Sequence, residues 1–171
     1  MYVITVDWSG GNQFPYEQAV ANTVIAAAVT RQLLQAMINR GVQAEQIHLI
    51  GHSLGAHISS YVGRDLPNLG RISGLGMSFI HWSNNIIHLL LNLFLDPAGP
   101  EFYLSEIADR LDASDALFVD VIHTDGAPHV ASGFGHLDAL GDVDFYPNDG
   151  STQPSEFSKI EIMNQIWKYL S

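Results

Sequence analysis

The chain contains no cysteine, and only 7 lysine and arginine residues against 18 aspartate and glutamate. Without cysteine there is no disulfide framework, no thiolate nucleophile and no cysteine-ligated metal, and the redox compartment stays open. The shortage of basic side chains leaves a formal charge of −11. Such a surface repels phosphate backbones, so nucleic-acid binding is not expected, and any lipid contact would be apolar rather than electrostatic. Also missing is an apolar run of the ~20 residues that a membrane span needs. The most apolar stretch, from Ile86 to Leu95, is about half that length and is broken by His88 and Asn92. The start of the chain has no basic leader followed by a long apolar core, so it does not read as a secretory signal. Tyr2 to Val6 reads instead as a strand, and a chain that opens inside a buried strand is expected to have sequence upstream of it.

What is present suits one domain: 171 residues, 47% of them apolar. After the β-branched run Tyr2–Val6, the residues Asp7 to Asn12 supply a turn. Tyr16 to Arg40 carries Val20, Val24, Ala27, Leu34 and Ile38 near helical spacing, with Gly41 placed to end a helix. Gln46 to Ile50 reads as a second strand and Ala56 to Leu66 as a second helix. Arg71 to Leu75 and Leu117 to His123 are further strand candidates, and Ser158 to Leu170 has weak helical periodicity. Strands alternating with helices imply an α/β class, a mostly parallel sheet flanked by helices. There is no internal repeat.

One pattern carries chemistry. Gly51-His52-Ser53-Leu54-Gly55 is a G-x-S-x-G sequence between an expected strand and an expected helix. Flanking glycines permit the tight turn that lifts a serine hydroxyl out at the carboxyl end of a sheet. The following helix presents its N-terminus, and the Leu54 N–H would be one donor to a developing oxyanion. A serine between two glycines can also be an ordinary turn; the strand before and the helix after favour the nucleophile elbow. Serine needs a base, and the base needs an orienting carboxylate, in the chain order Ser, Asp or Glu, His. Asp96, in Asp96-Pro97-Ala98-Gly99-Pro100, is suitably placed after a strand, although an Asp before proline is equally a turn former.

Six blocks, VDWSGGNQFPYEQAVANT, HLIGHSLGAHISSYVGR, LGRISGL, LDPAGPEF, RLDASDALFVDVIHTDG and LGDVDFYPNDG, cover most of the chain from Val6 to Pro154. In order and spacing they resemble the pancreatic-type triacylglycerol lipase family, its arthropod members in particular. The resemblance implies an incomplete α/β-hydrolase fold and a secreted, extracellular enzyme cleaving acyl esters of glycerolipids. It implies Ser53 as nucleophile, Asp96 as triad acid and Leu54 as oxyanion donor, with a lipid ester or lipid interface as partner and no cofactor for the chemistry. It further implies a structural calcium site at Arg110, Asp112 and Asp115. There the expected acidic position three residues earlier is Ile107, with Glu106 one place off. Oxygen ligands suit calcium, but acidic side chains are as common in solvated turns, and both readings stand.

Three departures from the family bear on activity. The upstream strands and the His-Gly loop that supplies a second oxyanion N–H do not appear before Met1, and one such donor is worth on the order of 10²–10³ in turnover. Gly76 to Leu95 stands between a strand and the Asp96 loop that the family joins almost directly. It is expected to be an insertion into the partial lipase domain of residues 1–171, read as translated intron. The family's histidine lies beyond a Gln-Pro segment, and here Gln153-Pro154 is followed by a tail without histidine. The substitutes in chain order are His123, expected to pack or hydrogen bond in the core, and the loop residues His129 and His136. His48, His52 and His57 are expected to be exposed or packing residues near the elbow. His81 and His88 lack a third ligand at zinc spacing. Two functions from different classes therefore compete: a serine ester hydrolase impaired in this chain, and a non-catalytic homologue that binds lipid or a protein partner.

Overall fold

The computed structural model describes residues 2–13, 15–75, 110–124, 126 and 135–150. Helix α1, Tyr16–Ile38, forms because Ala19, Thr23, Ala27, Thr30 and Leu34 recur every three or four residues and are all buried. It stops two residues short of Arg40. The Gly41 and Val42 amides fold back on the Ile38 and Met37 carbonyls at 2.9 and 3.3 Å, and Gly41 takes φ +101°, a conformation that favours glycine.

Strand β1, His48–His52, begins later than the apolar pattern suggests. Ala44–Gln46 closes a 3₁₀ turn first, with the Ile47 N–H on the Ala44 carbonyl at 3.0 Å. Helix α2, Leu54–Arg64, returns the chain to β2, Arg71–Leu75. Strands β3, Val119–Ile122, and β4, Val143–Phe145, complete a parallel sheet in the order β1-β2-β3-β4. Leu117 and Phe118, expected to begin β3, are exposed and lie outside it. β4 was not anticipated, because three residues, two exposed and one half-buried, are too short for a period-2 pattern to register.

Beneath the sheet, Val62 and Leu66 of the α2 side meet Leu69, Ile72, Leu111 and Val119, all at most 2% exposed. Each such side chain contributes roughly 1.5–3 kcal/mol by leaving water. This core holds the strand ends, and with them the β1–α2 turn.

Tyr2 to Val6 is extended but is not a strand: it pairs with nothing among the described residues, and Tyr2 is 99% exposed. β propensity makes a strand only where a neighbouring backbone accepts its hydrogen bonds. The expected insertion Gly76–Leu95, Asp96 and the tail periodicity at 158–170 lie outside the described residues.

Candidate active site

Strand β1 delivers the chain into a turn at Ser53, which stands at the N-cap of α2 with φ 56°, ψ −126°. A non-glycine residue pays on the order of 1–3 kcal/mol to sit in such a region, and keeps it only where surrounding structure enforces it. The enforcement is visible. The Ser53 N–H extends the sheet ladder to the Leu75 carbonyl at 3.3 Å, while the Ser53 carbonyl accepts the Ala56 N–H at 2.9 Å. One residue is thus held by sheet and helix together. Gly51 makes the turn sterically feasible, since a Cβ there would stand 2.2 Å from the Gly55 carbonyl oxygen.

Ser53 is half-buried, and Leu54 is the first residue of α2. First-turn amides have no acceptor within their helix, so the Leu54 N–H is available to an anion forming beside Ser53. Beneath Ser53 lies a cavity of about 30 Å³, bordered by His57, His123, Thr124 and His136. It has room for roughly one water-sized molecule and is far too small for an acyl chain.

The histidines around this cavity differ in what they can do. Burial, with the nearby charges of His136, Arg110 and Arg64, pushes the His57 imidazole down to about 3, so it is neutral at physiological pH. His123 is buried and stacked flat on Tyr146, ring centres 4.4 Å apart. Its Nδ1 faces the His136 carbonyl and its Nε2 the Asp144 carboxylate, both at 2.6 Å. That carboxylate already accepts the Leu140 and Gly141 amides at 3.0 and 3.1 Å. Both His123 nitrogens are therefore turned to acceptor oxygens, and neither offers a lone pair to Ser53. His136 is buried, with Nδ1 3.7 Å from Asp138. Asp96 and His129 lie outside the described residues.

The acidic loop is a capping box. Asp112 accepts the Ser114 N–H at 2.9 Å, and Asp115 accepts the Asp112 N–H at 2.9 Å. The Arg110 carbonyl accepts the Ser60 hydroxyl at 3.1 Å, and Asp115 lies 3.6 Å from the Arg64 guanidinium. Burial pushes the Asp115 carboxyl up, against the hydrogen bonds and the Arg64 charge that oppose it. In kind these three oxygen donors fit calcium; in number they supply about half of the 6–8 ligands it takes. Among the described residues no cluster of three or more metal-ligating side chains forms.

A further network spans three strands. Arg71 donates twice to Asp120, at 2.8 and 3.0 Å; the Ser73 hydroxyl donates to the same carboxylate at 2.8 Å, and His48 Nε2 lies 2.8 Å from that hydroxyl. Burial pushes the Asp120 carboxyl up, but the hydrogen bonds from Arg71 and Ser73 and the Arg71 charge hold it below the usual range. No sequence signal could assemble these four residues, which stand 2 to 72 positions apart and meet only through the strand register. Ser73 is 1% exposed and lies between the base and the acid rather than beside the base alone. The network braces the sheet and is not a second triad.

The sequence pattern describing the lipase family matches residues 1–85 and 93–168. Pancreatic lipase-related protein 2 of Homo sapiens is 41% identical over 172 residues, covering 96% of this chain and 32% of that protein. Pancreatic triacylglycerol lipase of Myocastor coypus is 38% identical, over 96% of this chain and 33% of its own length. Inactive pancreatic lipase-related protein 1 of Mus musculus is 38% identical over the same share of this chain and 32% of its own. The chain spans about a third of the length of these relatives. With a strained serine at a strand-to-helix elbow and a parallel sheet behind it, the chain belongs to the lipase family.

Proposed function

We propose that the protein is a serine ester hydrolase of glycerolipids, acting outside the cell, and that the 171 residues form its nucleophile-bearing part. The observation that carries the reading is the backbone of Ser53, φ 56° and ψ −126° at the start of α2. Strain of this kind persists where a function uses it. The Ser53 Oγ attacks the acyl carbonyl, its proton passes to a base, and the Leu54 N–H donates to the oxyanion. Asp96 follows β2 in sequence and is the proposed orienting acid. Calcium, if bound, would use the Asp112 and Asp115 carboxylates and the Arg110 carbonyl and fix the loop beneath α2. A melting temperature unmoved between calcium and a chelator removes that ion.

A base for Ser53 is the weak point of this chain. The two nitrogens of His123 are engaged and the His57 ring is sealed in the core. Among the described residues His136 is the histidine best situated to serve, sharing the small cavity with Ser53. Turnover by the 171 residues is therefore expected to be low, since a triad without its base keeps only a small part of its rate enhancement. The second reading, a non-catalytic homologue binding lipid or a protein partner, draws support from the relatives named inactive.

A fluorophosphonate probe and p-nitrophenyl butyrate separate the two. The hydrolase reading expects slow labelling, lost in Ser53→Ala, with slow ester turnover. A chain that reacts no faster than Ser53→Ala leaves only the binding reading. We also propose Gly76–Leu95 as an insertion within the domain; the break in the family match at residues 86–92 falls inside it. A mature message that carries these codons in every copy overturns its origin as intron.

A further inference from the structure

The segment that leads into β4 carries His136 to the cavity beneath Ser53, and both residues form part of its wall. Consecutive contacts fix the backbone there. Gly135 bridges to Gly126, the His136 carbonyl faces His123 Nδ1 at 2.6 Å, and the Leu137 carbonyl accepts the Tyr146 hydroxyl at 3.2 Å. Gly126 makes this approach possible, since a Cβ there would collide with a Leu137 methyl carbon. His123 is in turn held by Asp144 and stacked on Tyr146, so the segment is tied to β3 and to the end of β4. A fixed backbone decides where the His136 ring can reach; how the ring is turned depends on what the ring itself meets. It meets a carboxylate. His136 Nδ1 lies 3.7 Å from an Asp138 oxygen, and that oxygen lies 3.9 Å from the Arg110 guanidinium. The imidazole is 4% exposed and the carboxylate 65%, which sets the acid on the solvent side of a buried ring.

We propose that Asp138 is the carboxylate that orients His136 as the base for Ser53, so that Ser53, His136 and Asp138 form one proton-transfer unit. The inference rests on the serine hydrolase reading above and adds a positioning residue to it. Asp96 lies outside the described residues, whereas Asp138 is the carboxylate that the structure brings to this imidazole. As the Ser53 Oγ bonds to the acyl carbonyl carbon, its proton passes to His136 Nε2, the carbonyl electron pair moves onto oxygen, and the Nδ1–H donates to Asp138. When the intermediate collapses, the Nε2 proton leaves with the alkoxide and the acyl group stays on Ser53. The cavity has room for roughly one water, and a base acts directly or through one such water. At 3.7 Å the His136–Asp138 contact is longer than a hydrogen bond. Such contacts tighten when substrate arrives, and a carboxylate so exposed displaces little packing in moving by about 1 Å. The chain order Ser, His, Asp departs from the family order, but proton transfer depends on geometry rather than on order. As a surface ion pair, Arg110–Asp138 contributes little to stability, so removing the Asp138 charge leaves the fold and disturbs the base.

The test follows phosphonylation of Ser53 by a fluorophosphonate in the 171-residue chain, as a saturation curve that separates the limiting rate from the half-saturating concentration. Asp138→Asn is expected to melt at the parental temperature and half-saturate at the parental concentration, with a limiting rate lower by roughly 10-fold or more. Asp138→Glu, which keeps the charge, should recover most of that rate. His136→Gln should lower the limiting rate at least as far, and adding Asp138→Asn to it should cost nothing further, because residues that act as a unit are not additive. An Asp138→Asn protein that labels at the parental limiting rate overturns the inference and leaves Ser53 as the nucleophile. The inference also fails if the loss in Asp138→Asn persists in full on the His136→Gln background, which would place the action of the carboxylate elsewhere. A rate that falls with melting temperature in the Asn and Glu variants alike assigns Asp138 to the fold and overturns it too. A parent chain that labels no faster than Ser53→Ala overturns the inference together with the reading beneath it.

Discussion

Ser53 shows how far one residue's conformation can speak for function. Its φ of 56° is relieved by glycine, so Ser53→Gly is expected to stabilise the fold by about 1 kcal/mol, the released strain being partly offset by a freer unfolded chain. Urea unfolding measures it, and a loss of stability would mean that the serine side chain, not strain, governs the turn. His57 behaves oppositely to a surface histidine. Its folded value near 3 lies below the ordinary 6.5, so the unfolded chain takes up a proton that the folded chain refuses. Stability is therefore unaffected above about pH 6.5 and declines as pH falls toward 3. The part due to His57 amounts to about 2 kcal/mol between pH 8 and pH 5. In His57→Leu that part of the acid sensitivity should vanish; denaturation curves of equal pH slope in both proteins would refute the assignment.

At the level of elements, β1, β2 and β3 are joined by the His48, Ser73, Asp120 and Arg71 network as well as by the ladder. Asp120→Ala would leave the Arg71 guanidinium and the Ser73 hydroxyl without their common acceptor. The expected cost is about 2 kcal/mol, below that of a fully buried pair because the Arg71 side chain is 35% exposed. Asp120→Asn, which keeps one acceptor, should cost less. Thermal melts decide this, and equal stability of Asp120→Ala and the parent protein would show the network to be incidental. The helices and strands flanking the elbow were legible in sequence because each has a local period or a glycine stop. β4 was not, and Tyr2–Val6 has strand composition without a strand, because pairing is a property of neighbours rather than of the segment.

Over the whole molecule, 18 acidic against 7 basic side chains produce self-repulsion that folding concentrates. Raising salt from about 10 to 200 mM shortens the screening length from roughly 30 Å to less than 10 Å, and the melting temperature should rise by about 3 °C. A fall or no change would mean that attractive pairs such as Arg71–Asp120 outweigh the net charge.

Sequence alone determined the parallel α/β class, the family and the place of Ser53 and Leu54. These rest on local pattern: glycines that permit a turn, helical periods that bury one face, and motif blocks in fixed order. Only the tertiary structure decided that both nitrogens of His123 are turned to acceptor oxygens, that Asp112 and Asp115 cap one another, and that Arg71, Ser73 and Asp120 meet across the sheet. Those outcomes depend on burial and on the partners that register brings together across dozens of residues, which no local stretch of sequence encodes.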